Sequence, residues 1–257
     1  MEDDSVAIEM AKRMSSGPFG GEMAKVASLY AKPIFWSKYP PVVGAKEEIS
    51  SGTAFFLDLG QKICGVTAGH VYDSYLERKG SQTGCRIGGA STFFELEKRK
   101  ISRGRKVDIF TFEVSRAEAE STSALIVVPP QWPPPSPETN HALVFAGYPG
   151  HETRVPIPFR LEFGYFSGAG MIESVRDLDF SCLVDREYMV PVPGLQLPVV
   201  AYNFAGASGG PVFRVYRGDI VYWDLVGVIY ECGGQTLVEL IKMARADLIC
   251  SDGVIAA

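Results

Sequence analysis

Ser51-Gly52-Thr53-Ala54-Phe55-Phe56-Leu57 and Ile63-Cys64-Gly65-Val66-Thr67 decide how this chain is read. Both are short runs of β-branched, aromatic and small residues with turn residues between them, the pattern of paired strands rather than of a helix. Residues 92–96 and 108–114 continue the texture. A second series follows at 142–148, 160–166, 197–202, 210–216 and 223–230. Many short runs at close spacing predict an all-β fold of antiparallel sandwiches or barrels.

The two series are separated by Pro129-Pro130-Gln131-Trp132-Pro133-Pro134-Pro135-Ser136-Pro137. So many missing backbone donors exclude a central strand, and the stretch reads as a stiff connection. The expected organisation is an N-terminal helical extension over 1–49, a first β unit over 50–128, a Pro-rich connection over 129–140, and a second β unit with a C-terminal helix over 141–257. The N-terminal helix is expected over 5–32, from Val6, Ile8, Met10 and Ala11, then Met23, Val26, Ala27 and Tyr30, around a break at Ser15-Ser16-Gly17-Pro18. The C-terminal helix is expected over 236–250, where Leu237, Leu240, Ile241, Ala244 and Leu248 share a helical face.

With 257 residues, 46% of them hydrophobic, the chain can build one large or two small cores. A net charge of −5 argues against a general polyanion binder, so nucleic acid is not an expected partner. No apolar run is long enough to span a bilayer, and no membrane partner is expected. The acidic start Met1-Glu2-Asp3-Asp4 has neither the basic nor the apolar part of a secretory signal, which reads as a cytoplasmic location. Cys64, Cys85, Cys182, Cys232 and Cys250 are odd in number and lack C-x-x-C spacing, so free thiols are expected. His70, His141 and His151 sit in no metal-ligand spacing, and no metal or cofactor is implied.

Three segments carry chemistry. Val66-Thr67-Ala68-Gly69-His70 places a histidine at the end of an apolar run, and Val107-Asp108-Ile109-Phe110 places a carboxylate at the start of another. Gly206-Ala207-Ser208-Gly209-Gly210-Pro211 sets one hydroxyl among small residues that allow a sharp turn and close approach of another molecule. His, Asp, Ser is one known chain order of the acyl-transfer triad. Each residue alone also reads as structural: a core histidine, a strand-end cap, a turn serine. Asp73 is a rival carboxylate close to His70.

These segments, with 51–55, Gly147-Tyr148-Pro149 and Leu225-Val226-Gly227-Val228, resemble the chymotrypsin-like (trypsin-fold) serine peptidases. They are closest in texture to compact bacterial members and the HtrA/Deg protease domain. The matching pieces run in family order over about 50–232. The resemblance implies two six-stranded antiparallel β-barrels with the site between them. It makes Ser208 the nucleophile, His70 the general base and Asp108 its orienting carboxylate. The N–H groups of Gly206 and Ser208 become the oxyanion hole, and Tyr202, Asn203, Tyr230, Glu231 and Cys232 the substrate pocket. A protein or peptide is the implied substrate.

The chain also departs from the family. Ala207 stands where vertebrate-type members carry the aspartate that receives a new N-terminus, and no PDZ-like module follows the second β unit. No aspartate lies at the pocket base. Tyr202 would shorten the pocket toward small or medium apolar residues, whereas Glu231 would attract a basic one. The basic residues Lys98, Arg99, Lys100, Arg103, Arg105 and Lys106 read as an exposed loop. Besides an active endopeptidase, two readings stay open: a protease-fold binding protein without turnover, and a resting protease switched on by a protein partner.

Overall fold

The computed structural model describes residues 18–38, 49–78, 83–157, 160–185, 204–217, 221–233 and 238–257. It is mostly β. The first sheet has six antiparallel strands: β1 (Lys32–Lys38), β2 (Ser50–Asp58), β3 (Ile63–Ala68), β4 (Thr83–Ile87), β5 (Lys100–Arg103) and β6 (Ile109–Glu113), in the order β4-β1-β2-β3-β6-β5. Helix α2 (Gly69–Arg78) leaves β3 directly, and the short helix α3 (Arg116–Ser121) follows β6.

The second sheet is a closed six-stranded barrel. It is made of β7 (Ala142–Gly147), β10 (Phe166–Val175), β11 (Asp179–Asp185), β12 (Pro211–Arg217), β13 (Val221–Gly233) and β14 (Val238–Arg245), in the order β10-β11-β14-β13-β12-β7. Strands β8 (Thr153–Ile157) and β9 (Arg160–Phe163) pair antiparallel in a separate two-stranded sheet. One closed six-stranded antiparallel barrel and a second six-stranded antiparallel sheet are consistent with the all-β, two-unit fold expected from the sequence.

Burial on both strand faces explains the continuous apolar runs of the sequence. In β7, Leu143 and Phe145 fill the barrel with Ile172, Phe180 and Met243, while Val144 and Ala146 point the other way. That second core joins the two sheets, bringing Phe55, Leu57 and Val66 against Val144, Phe213 and Val228. In β2, the alternate residues Ala54 and Phe56 belong instead to the core of the first sheet. All five cysteines are free, and Cys64, Cys85 and Cys182 are buried.

Three expectations are corrected. Residues 32–38 are not extension: they form β1, between β4 and β2, and Pro33 is tolerated there. Residues 92–96 form a turn with one bridge, Phe94 to Cys85, rather than a strand. Residues 238–245 are β14 and not a C-terminal helix, with only a 3-10 turn at Ala246–Leu248. A strand covered on both faces presents a run that satisfies either period, and pairing with β11 and β13 decides it. The N-terminal helix is Pro18–Tyr30 (α1); the part expected over 5–17 and the strand expected over 197–202 lie outside the described residues.

Helix α1 packs Met23, Ala27 and the following Ala31 against the second barrel, and Tyr30 meets Phe213 at 5.1 Å between ring centres. The Pro-rich connection is tied down by Trp132 Nε1, which donates to the Ile249 carbonyl at 2.7 Å, and by Ser136, which donates to Asp247 at 3.0 Å.

Helix α3 has a capping box: Glu118 N–H donates to Ser115 Oγ, and Ser115 N–H to the Glu118 carboxylate at 2.9 Å. Arg99 grips the same carboxylate at 2.7 and 3.0 Å. The Arg99 hydrogen bonds, opposed by burial and joined by the cap, draw the Glu118 carboxyl from 4.5 down to about 2. Because the folded value is the lower one, this stabilisation is complete above about pH 4.5 and fades as pH falls toward 2. The pair is half-buried and still open to solvent screening, so Glu118→Gln is expected to destabilise by only about 1 kcal/mol at neutral pH. Urea melts should show that difference shrinking toward pH 3.

Candidate active site

His70 follows β3 at the start of α2, and Asp108 lies just before β6, the strand paired with β3 through Ala68↔Ile109. Pairing therefore sets the carboxylate beside the imidazole. Asp108 Oδ2 accepts from His70 Nδ1 at 2.6 Å, and its Oδ1 accepts from the His70 backbone N–H at 2.8 Å. Burial alone would raise the Asp108 carboxyl. The ring hydrogen bond, the His70 charge, the backbone N–H and the Arg103 charge together hold it below its ordinary value. An ionised Asp108 requires the proton on Nδ1, which leaves Nε2 as the lone-pair nitrogen of the neutral ring. No hydrogen bond or ion pair joins the rival Asp73 to His70; it pairs with Arg103 at 2.8 Å.

Ser208 sits in the loop that enters β12. Its carbonyl accepts from Thr53 N–H at 2.8 Å, and Thr53 Oγ1 donates to the Gly206 carbonyl at 2.8 Å while accepting from Tyr148 N–H at 2.8 Å. The Thr53 carbonyl in turn accepts from Thr67 Oγ1 at 2.6 Å. Thr53 is fully buried, and through it the serine loop of the second barrel is bolted to β2 and β3, the pair that carries His70. The sequence marked the 51–55 segment but not this role. Thr53→Val would strand a buried N–H and a carbonyl. It is expected to destabilise by about 2 kcal/mol and to speed hydrogen exchange around the loop.

Gly206 and Gly209 have φ of +103° and +94°, which side-chain-bearing residues rarely adopt. The 205–206 and 207–208 peptides are fixed through their carbonyls. Ala205 O accepts from Gly150 N–H at 2.7 Å, and Ala207 O accepts from Gly210 N–H at 3.0 Å. A trans peptide points its N–H opposite its carbonyl, so the Gly206 and Ser208 N–H groups are aimed away from these anchors. Among the described residues, neither N–H has a hydrogen-bond acceptor. A pair of aimed, unengaged donors beside a hydroxyl can bind an oxyanion.

The Ser208 hydroxyl itself donates to the Tyr230 carbonyl at 3.3 Å, and no hydrogen bond joins it to His70. The residue is 8% exposed and His70's side chain 50%. The register of β13 against β14 shifts between Ile229 and Glu231, so Tyr230 sits at a bulge with its carbonyl outside the ladder.

Of the expected pocket, Tyr202 and Asn203 lie outside the described residues. The Tyr230 side chain packs against both cores. Burial first, then the nearby Asp179 and Glu231 charges, push its hydroxyl up to about 12. Glu231 is exposed, and both its oxygens accept from Lys242 at 2.9 Å, so its charge is already paired; Cys232 is half-buried beside it. The basic run is also largely engaged. Lys98 pairs with Glu95, Arg99 with Glu118 and Arg103 with Asp73, while Lys100, Arg105 and Lys106 are exposed.

No protein-family model matches the chain, and no curated protein matches it by sequence. Among solved structures it is similar to a thermostable serine protease, AL20, from an extremophilic microorganism. The identity is 12%, covering 86% of this chain and 92% of that one, with a TM-score of 0.46. It is also similar to a structure described for the coupled folding and binding of the intrinsically disordered Sesbania mosaic virus VPg protein. There the identity is 15%, the coverage 84% and 91%, and the TM-score 0.43. At these values the likeness assigns no activity to this chain.

Proposed function

We propose that this protein is a serine endopeptidase. Ser208 attacks the peptide carbonyl and passes its proton to His70 Nε2. Asp108 stabilises the imidazolium, and the Gly206 and Ser208 N–H groups bind the oxyanion. His70 then protonates the leaving amine, and water releases the acyl group from Ser208 by the same route. The observation that carries this reading is the pair of peptide planes at 205–206 and 207–208. Both are held by their carbonyls, with both N–H groups unengaged next to the serine hydroxyl. A turn serine has no need of such an arrangement.

The position before the nucleophile offers no carboxylate to receive a newly formed N-terminus. Ala207 precedes the nucleophile and is 1% exposed, packed where a Cβ on Gly147 would touch it. This supports the likeness to compact bacterial-type members over vertebrate-type ones. Pairing of Glu231 with Lys242 favours apolar over basic side chains in the pocket.

A second reading, a resting protease woken by a partner, is favoured by one observation: the Ser208 hydroxyl rests on the Tyr230 carbonyl. In that reading the switch is a rotation of the serine side chain, not the ordering of the oxyanion loop. Incubation with unfolded casein, with cleavage sites mapped by mass spectrometry, tests the proposal. Internal cleavage by the native chain and none by Ser208→Ala is expected. An intact substrate with a folded chain would overturn constitutive turnover.

A further inference from the structure

Arg103 stands apart from the rest of the basic run. It leaves the end of β5 and turns inward, with its side chain 24% exposed. Nη1 donates to the carbonyls of Gly104 at 2.6 Å and Val107 at 3.3 Å, which pins the loop leading into Asp108. Nε and Nη2 donate to the Asp73 carboxylate at 3.4 and 2.8 Å. Nη2 also lies 3.2 Å from Asp108 Oδ1, the oxygen that accepts the His70 backbone N–H. Independently, Gly69, immediately before His70, is the seat of this guanidinium: a Cβ there would land on its central carbon.

We propose that Arg103 is a positioning residue that fixes the Asp108 carboxylate and sets how much of its charge reaches His70, with Asp73 as the counter-charge. The proposal rests on the triad reading above. A cation at Oδ1 leaves Oδ2 as the oxygen committed to the ring. It also offsets part of the attraction between the carboxylate and the imidazolium. Asp73 tempers that effect by neutralising part of the guanidinium. Lysine cannot reproduce the arrangement, because its point charge lacks the planar fork that serves two carboxylates and two carbonyls together. The charged groups around Asp108 are His70 and Asp73 from α2, Arg103 from β5, and the exposed Arg105 and Lys106 between β5 and β6.

The test is an NMR titration of the three histidines, His70, His141 and His151, assigned with His70→Ala. It is run on the full chain and on Arg103→Gln, Asp73→Asn and Arg103→Lys. Arg103→Gln is expected to move the His70 midpoint up by about one pH unit and Asp73→Asn to move it down by about half a unit. His141 and His151 should stay in place. The acid limb of labelling by a fluorophosphonate probe should move with His70. Opposite signs from two partners of one ion pair are not produced by a general loosening of the fold. A His70 midpoint unmoved in both variants, or moved in the same direction, overturns the proposal. Should Arg103→Gln fail to fold, Asp73→Asn decides by its sign and Arg103→Lys by a smaller upward shift. Shifts as expected in a chain that never labels would remove the catalytic reading and leave the Arg103 role standing. Labelling with an unmoved His70 would do the reverse.

Discussion

Asp108→Asn is expected to slow fluorophosphonate labelling of Ser208 by about 10⁴-fold while the chain stays folded. The carboxylate accepts twice from one residue, at 2.6 Å from the ring Nδ1 and at 2.8 Å from the backbone N–H. An amide can keep the backbone bond through its oxygen, but its NH2 group then faces Nδ1. Donor against donor is unfavourable, so the ring surrenders the Nδ1 proton and carries it on Nε2 instead. That nitrogen can no longer accept the serine proton. The substitution changes few atoms and removes no apolar burial, so the urea midpoint should move little. A labelling rate within tenfold of the native chain would show that the bond between Asp108 and His70 is structural only.

Gly209→Ala is expected to destabilise the protein by about 3–5 kcal/mol, a large fraction of the roughly 5–15 kcal/mol of an ordinary domain. Its φ is +94°, and an added Cβ would land on the Thr53 carbonyl oxygen and beside Thr67 Oγ1. Those atoms cannot retreat. Thr67 Oγ1 donates to the Thr53 carbonyl at 2.6 Å, Thr53 is wholly buried, and Gly209 N–H is itself held by the Ile229 carbonyl at 2.7 Å. The methyl therefore pushes apart the contact that joins the two sheets. Gly21→Ala in α1 is the control, because nothing lies within 4 Å of its added Cβ and alanine favours the helix; it should stabilise by up to about 1 kcal/mol. Denaturant melts of both variants decide the point.

The mostly β fold was legible, and so was the meeting of His70 with Asp108, because local chemistry and tertiary placement agree there. Strands such as β2 and β3 have both faces buried and so read as unbroken apolar runs. His70 and Asp108 close two strands that pair with each other, and Ser208 lies in a loop whose glycines need left-handed backbone. Where the two levels part, the sequence misleads. β14 shows a helical face only because Ile241 and Ala244 are buried on opposite sides of a strand. β1 hides behind Pro33, whose ring is accepted in a strand that pairs on both sides. Arg103 lies in a run of charges that composition assigns to solvent, and only the small Gly69 hints at a neighbour needing room. Thr53 offers no signal beyond its motif, since its importance comes from a partner 153 residues away.

Labelling of the intact chain with a fluorophosphonate probe, beside His70→Ala and Ser208→Ala, tests the catalytic reading most directly. One label per chain, mapped to Ser208 and lost in both variants, is the result predicted by a triad with its oxyanion donors already aimed. A folded native chain that takes no label, or takes it equally in His70→Ala, would contradict it.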